Sequence, residues 1–117
     1  MTTPQNIETE EDEYISFKST FKTDDGTEYE SWVYRTRIIK TGKYKVGGHI
    51  TVSNPTMYNV RDHTTIEGIN SKKLAEINTE IIKQTFKTKI YEYANADDTV
   101  LKIENEKLKK ILENGEA

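Results

Sequence analysis

Hydrophobic and polar residues alternate along the first part of the chain, and this two-residue period predicts β-strands. A first strand is predicted from residue 13 to about residue 22, and a second from residue 27 to residue 39. Asp25-Gly26 lies between them and is a strong signal for a two-residue hairpin loop, because both loop positions favour a positive φ. The sequence therefore predicts an antiparallel hairpin at the start of the domain.

The register of this hairpin places the apolar residues of both strands on one face. Counting back from a two-residue loop, Phe21 pairs with Glu30 and Phe17 pairs with Tyr34. A shift of one residue would move a whole strand to the other face, so the loop length decides which side chains are buried. The predicted core face consists of Ile15, Phe17, Phe21, Trp32, Tyr34 and Ile38.

A second turn around residues 41–43 leads into a third predicted strand, from residue 44 to residue 53. A three-residue loop puts Val46, Ile50 and Val52 on the predicted core face, whereas a two-residue loop puts them on the opposite face. We predict the three-residue loop, because the alternative exposes the apolar side chains of the whole strand.

The second half of the chain has apolar residues at three- and four-residue steps, which predicts helices. A long helix is predicted from residue 71 to about residue 94, and a short one from residue 104 to residue 114. Residues 85–93 are also rich in Thr and Tyr, so a strand in this part of the long helix stays possible. The stretch from residue 54 to residue 70 is interpreted as a loop or a short extra strand.

These elements predict one α+β domain. A three- to four-stranded antiparallel meander sheet is covered on one face by the long helix, with a short C-terminal helix beside it. The domain is predicted to cover residues 13–115, and residues 1–12 are predicted to form a disordered acidic tail, because they offer nothing to bury. The acids at this end of the chain are Glu8, Glu10, Glu11, Asp12 and Glu13, without any base among them.

Composition limits the class of protein. The 117 residues are 33% hydrophobic and 32% charged, enough for one modest core. Cysteine is absent, which excludes disulfides and Cys-based zinc sites and fits the reducing interior of a cell. No apolar run approaches the length of a membrane span, and the N-terminus lacks the pattern of a signal peptide. We therefore expect a cytoplasmic protein that does not associate with membranes.

Charge is distributed unevenly along the chain. The net charge is −3, but removing the five acids of residues 1–13 from the total of 20 leaves fewer acids than the 17 bases. The predicted outer face of the sheet carries part of this positive charge and no acid. Its candidate phosphate-binding residues are Lys18, Lys22, Arg35, Arg37 and Lys45, its candidate stacking residues are Tyr14 and Tyr29, and His49 lies opposite Arg35.

Cations pair with phosphate oxygens, and aromatic rings between them stack on unpaired bases. The sequence therefore predicts a non-enzymatic binding protein whose first candidate partner is single-stranded nucleic acid. A plainer interpretation also stands, because the solvated face of an antiparallel sheet is ordinarily polar and often rich in Lys, Arg and Thr.

Two other functions stay open. In the first, the protein is a small inhibitor or adaptor of a host protein, of the kind found in phages and mobile elements, and it binds through the acidic tail and the loop at residues 54–70. Alternatively, it sequesters a small anionic ligand at the interface of a homo-oligomer. The sequence indicates no cofactor for any of these functions.

The two histidines invite a test for catalysis. His49 and His63 each begin a His-x-Thr triplet, and paired triplets of this kind serve two-histidine phosphoesterases, in which one imidazole acts as base and the other as acid. Because the copies lie close together in a Thr-rich chain, we interpret His49 as a solvent-side sheet residue and His63 as a loop residue. No metal-ligand spacing or glycine-rich phosphate loop is present. We therefore expect no enzymatic activity and no bound metal.

Overall fold

A computed structural model describes the backbone of residues 11–116 and the side chains of residues 14–113. The strands are β1 (Glu11–Lys22), β2 (Glu28–Ile38), β3 (Tyr44–Asn54) and β4 (Met57–Ile69), and the helices are α1 (Lys72–Tyr93) and α2 (Asp98–Glu116). The strands form one antiparallel sheet in the order β1-β2-β3-β4, which confirms the predicted α+β meander. Most of the predicted tail, residues 1–10, lies outside the described residues, and β1 includes its last two residues.

The loop between β1 and β2 has three residues instead of the predicted two. The Thr23 N–H donates to the Thr27 carbonyl at 2.9 Å, and Gly26 adopts a φ of 87° at the last loop position. Three-residue hairpin loops characteristically end on a residue in this left-handed conformation. Lys22 therefore pairs with Glu28, and the predicted register of the first hairpin is wrong by one residue.

The loop between β2 and β3 has four residues instead of the predicted three. The Ile38 N–H donates to the Lys43 carbonyl at 2.8 Å, and the Gly42 N–H donates back to the Ile38 carbonyl at 2.8 Å. Arg37 therefore pairs with Tyr44. Each error in loop length turns a strand over relative to its neighbour, so the two cancel for β3. The faces of β1 and β3 are as predicted, and β2 alone is inverted.

The core lies between the sheet and α1. Residues 54–70, interpreted above as a loop or short strand, instead contain the full-length strand β4 at the edge of the sheet. Asp62 of β4 forms an ion pair with Lys89 of α1, which ties this edge strand to the helix layer. The buried apolar residues are Tyr29, Val33, Tyr44, Val46, Ile50, Ile69, Ala75, Ile82, Phe86 and Ile90.

Helix α1 agrees with the prediction at both ends. The hydroxyl oxygen of Ser71 accepts a hydrogen bond from the Leu74 N–H at 3.0 Å and caps the first turn. The helix ends at Tyr93, and Asn95 then adopts a left-handed φ of 57°, a conformation that terminates many helices. Residues 85–93 are helical throughout, so the alternative strand is wrong.

Helix α2 begins at Asp98 and is longer than predicted. It packs against α1 around Glu104, which is only 4% exposed. The Gln84 amide donates to Glu104 Oε1 at 3.0 Å, and the ammonium groups of Lys107 and Lys87 lie 3.1 and 3.4 Å from the carboxylate. Burial raises the pKa of Glu104, but these hydrogen bonds and charges outweigh it and hold the pKa below the ordinary value of 4.5. The contact between the two helices therefore depends on an ionised carboxylate.

Candidate functional site

Both helices lie on one side of the sheet, and no described element packs against the other side, which we call the open face. Its side chains follow from the strand register and the alternation of faces along each strand. They are Tyr14, Ser16, Lys18, Thr20 and Lys22 of β1; Glu28, Glu30, Trp32, Tyr34, Thr36 and Ile38 of β2; Lys45, Gly47, His49, Thr51 and Ser53 of β3; and Tyr58, Val60, His63 and Thr65 of β4.

The structure separates the eight predicted binding residues into two groups. The open face holds Tyr14, Lys18, Lys22, Lys45 and His49, as predicted. The helix side holds the other three, Tyr29, Arg35 and Arg37, because β2 is inverted. The prediction that all five candidate phosphate-binding residues lie on one surface is therefore wrong.

Two of the residues that lie on the helix side instead of the predicted face have structural partners there. Arg35 is 7% exposed, and its guanidinium lies 4.0 Å from the carboxylate of Glu76 on α1. Tyr29 is 8% exposed, and its hydroxyl donates to the Tyr93 carbonyl at 3.4 Å. Both side chains consequently join the sheet to α1 and do not reach the open face.

The inversion of β2 also brings acids onto the open face. Lys18 lies 3.2 Å from the carboxylate of Glu30, and Lys22 lies 3.3 Å from that of Glu28. These are partly exposed pairs of the kind that contributes little to stability. Each carboxylate offsets the charge of the lysine beside it, so these two lysines add little net positive charge to the open face.

What the open face holds instead is a set of aromatic rings on three adjacent strands. The rings of Tyr14 and Tyr34 are nearly parallel, at 14°, with centroids 6.1 Å apart. Trp32 and His49 form a second pair, at 21° and 6.3 Å. Sequence reasoning missed Trp32 and Tyr34 as surface residues, because the assumed loop length assigned both to the core.

A lysine ammonium lies over one ring of each pair. Lys18 Nζ is 5.0 Å from the centroid of Trp32, and Lys45 Nζ is 5.9 Å from that of Tyr34. A cation over an aromatic face is attracted by the ring quadrupole. The open face therefore combines flat π-surfaces with positive charge at the same positions.

The glycine pair of β3 contains the sequence signal for this arrangement. Gly47 lies opposite Tyr34, and a Cβ at Gly47 would lie 2.7 Å from the Tyr34 hydroxyl and 2.8 Å from the Thr64 carbonyl oxygen. A glycine in a strand interior often marks a place where another group approaches the backbone. Here that group is the ring of Tyr34, which lies across β3.

The two histidines of the chain are register partners. His49 of β3 lies directly opposite His63 of β4, and both are on the open face. The interpretation of His63 as a loop residue is therefore wrong, whereas His49 is a sheet residue on the solvent side, as predicted. Among the described residues, no group of three or more His, Asp or Glu side chains comes together as a metal site would require.

A separate cleft of approximately 400 Å³ lies between β1 and the helices. Its apolar walls include Phe17, Phe21 and Tyr91, and Lys83 Nζ lies 4.1 Å from the centroid of Phe17. The charged groups at its rim are already matched within the protein, since Lys83 pairs with Glu80 at 3.3 Å. Two further polar groups of its lining, Gln84 and Lys87, are bound to the carboxylate of Glu104.

Comparison with known proteins adds no assignment: no family model matches the chain, and no curated protein or solved structure shows significant similarity to it. Within residues 11–116, neither helix combines the length and the apolar character needed to cross a bilayer. The open face is therefore the candidate functional site.

Proposed function

We propose that the protein binds single-stranded nucleic acid on the open face, by stacking bases on its aromatic rings. The observation that supports this proposal is the pair of ring stacks on an uncovered sheet, each with a lysine over one ring. A chain without cysteine suits a reducing compartment, so we place this binding in the cytoplasm.

Stacking supplies most of the affinity in this proposal. A base stacked on an aromatic side chain contributes roughly 1–3 kcal/mol, and every base has a π-face to offer. Trp32 and Tyr34 are two residues apart on one strand, which separates them by about 7 Å along the sheet. That spacing suits bases that are spread apart and placed individually on rings, as in many complexes with single strands.

Charge has a secondary role. The open face has three lysines, Lys18, Lys22 and Lys45. Lys18 lies beside the carboxylate of Glu30, and Lys22 lies beside that of Glu28. For single strands, the slope of log K against log salt is about −0.7 for each phosphate neutralised. We therefore expect a slope no steeper than about −2, shallower than a dedicated phosphate clamp would give.

Trp32 provides the test, because it is the only tryptophan of the chain. A base stacked on its ring should quench the tryptophan fluorescence, so a titration with short single-stranded oligonucleotides at low salt reports binding and stacking together. The matched control is Lys73→Glu, on the exposed first turn of α1, where negative charge is tolerated. Binding without quenching, or no binding at low salt, would contradict the proposal.

A protein partner remains the second candidate, supported by one feature of the β3–β4 hairpin. Met57, Tyr58 and Val60 are 48%, 65% and 59% exposed, and they belong to an edge strand with unpaired backbone groups. Exposed apolar clusters on edge strands are typical of protein contacts. Met57 pairs with Asn54 and does not belong to the open face, so Met57→Lys should abolish association with such a partner and leave oligonucleotide binding intact.

A further inference from the structure

The two His-x-Thr triplets are brought together by the fold. His49 and His63 face each other across β3 and β4, so their Cβ atoms are about 5 Å apart. Because the strands are antiparallel, the triplets run in opposite directions from this central pair, with Thr65 opposite Gly47. Two imidazoles in this position reach one small group lying above the sheet between them.

The surroundings of the pair suit an anionic group in contact with bases. Trp32 stacks on His49 and restricts the orientation of its ring. Thr65 is exposed on the same face as His63, so its hydroxyl can donate to an oxygen of that group, whereas Thr51 is only 2% exposed. The neighbouring carboxylate of Asp62 lies on the opposite face, bound to Lys89.

We infer that His49 and His63 cleave phosphodiester bonds of single-stranded RNA bound on the open face. One imidazole takes the proton of a 2′-hydroxyl, whose oxygen forms a bond to the adjacent phosphorus. The bond from phosphorus to the 5′-oxygen breaks, and the second imidazole gives that oxygen its proton. The products are a 2′,3′-cyclic phosphate and a 5′-hydroxyl, and no metal, water or redox partner is consumed.

This inference rests on the proposed function, and it departs from the sequence-based expectation of a non-enzymatic protein. That expectation treated His63 as a loop residue unrelated to His49. General acid–base catalysis contributes roughly 10²–10⁴-fold in rate, and it requires both groups within reach of one phosphodiester. The register of β3 and β4 provides that proximity.

The experiment uses end-labelled single-stranded RNA and DNA of one sequence, incubated with the full chain in EDTA. The variants are His63→Gln, His49→Gln and the control Lys73→Glu. We expect RNA fragments ending in 2′,3′-cyclic phosphate, a loss of at least about 100-fold in rate for each histidine variant, and no loss for the control. DNA lacks the 2′-hydroxyl and should bind without being cut.

The outcomes separate this inference from the proposed function. Quenching of Trp32 by RNA and DNA without cleavage overturns the catalytic role and leaves nucleic-acid binding in place. Absence of both binding and cleavage overturns both. Equal cleavage by the wild type and by His63→Gln indicates a contaminating nuclease and overturns the inference, as does cleavage that occurs only in a parallel reaction without EDTA. Since His63 is exposed, its substitution should leave the fold and the quenching unchanged.

Discussion

Gly48 of β3 lies beneath the ring of Phe86 with no space for a side chain between them. A Cβ at Gly48 would be 2.9 Å from Phe86 Cε2 and 2.2 Å from the Trp32 carbonyl oxygen. The second neighbour is backbone within the sheet and cannot move aside. Gly48 therefore allows α1 to pack closely on β3, while Gly47, one residue earlier, leaves room for Tyr34 on the opposite face.

Gly48→Ala should lower the free energy of unfolding by about 1–3 kcal/mol or more, because the added methyl overpacks the core. The matched control is Gly42→Ala, at a position with a φ of 70° and open space around it. That change should cost only the backbone strain, about 1–2 kcal/mol. Urea denaturation of both variants measures the difference. Equal losses would show that Phe86 and β3 adjust to each other freely.

The carboxylate of Glu104 should make stability depend on acid pH. Its pKa is held below 4.5 in the folded state, so its contribution is complete above about pH 4.5 and is lost as the pH falls through the lower folded-state value. Glu104→Gln should cost about 1–3 kcal/mol at neutral pH. Unfolding free energies at pH 7 and pH 3.5 should differ less in the variant than in the wild type. An unchanged difference would assign the acid sensitivity to other groups.

The stacking role of Trp32 is tested by its size and shape. Trp32→Ala should weaken oligonucleotide binding by the loss of one stacked base, about 1–3 kcal/mol or roughly 5- to 150-fold in Kd. Trp32→Phe keeps a ring and should recover most of the affinity. Fluorescence anisotropy of a labelled oligonucleotide measures both, since neither variant retains the tryptophan signal. Equal losses in the two variants would argue against stacking at this position.

Arg35 and Lys45 distinguish the two faces of the sheet. Lys45→Met removes a charge from the open face and should weaken oligonucleotide binding several-fold at low salt. It should also make the slope of log K against log salt shallower by about 0.7. Arg35→Met keeps the apolar stem under α1 and should leave the affinity unchanged, with an effect on stability only. A loss of affinity in Arg35→Met alone would place nucleic acid on the helix side.

The ion pair of Asp62 and Lys89 should protect the edge strand locally. The hydrogen bond from Lys89 lowers the pKa of Asp62 below its ordinary 3.8. Because both side chains are partly exposed, Asp62→Asn should cost at most about 1 kcal/mol globally. Hydrogen exchange of β4 amides should nevertheless accelerate, while that of β2 amides should not. Uniform acceleration across the sheet would show that β4 does not open independently.

Local patterns in the sequence were sufficient for the types of β1, β2, β3 and the two helices, but not for β4. The alternation in residues 13–22 and the three- and four-residue steps of residues 71–94 identify β1 and α1, since strand and helix periods differ. Ser71 marks the start of α1 through its hydroxyl. The α+β class and the meander order follow from these elements, because short connections join antiparallel neighbours.

Tertiary structure alone decided which face of β2 is buried. Asp25-Gly26 is compatible with hairpin loops of two and of three residues, and the two loop lengths bury opposite sets of side chains. Tyr29 and Val33 pack beneath α1, whereas Trp32 and Tyr34 lie on the open face. The contacts of β2 with α1 and with its neighbouring strands together select this arrangement. The candidate site also depends on the tertiary structure. His49 and His63 lie opposite each other only in the observed register of β3 and β4, and the sequence pattern of β4 was too irregular to predict that strand.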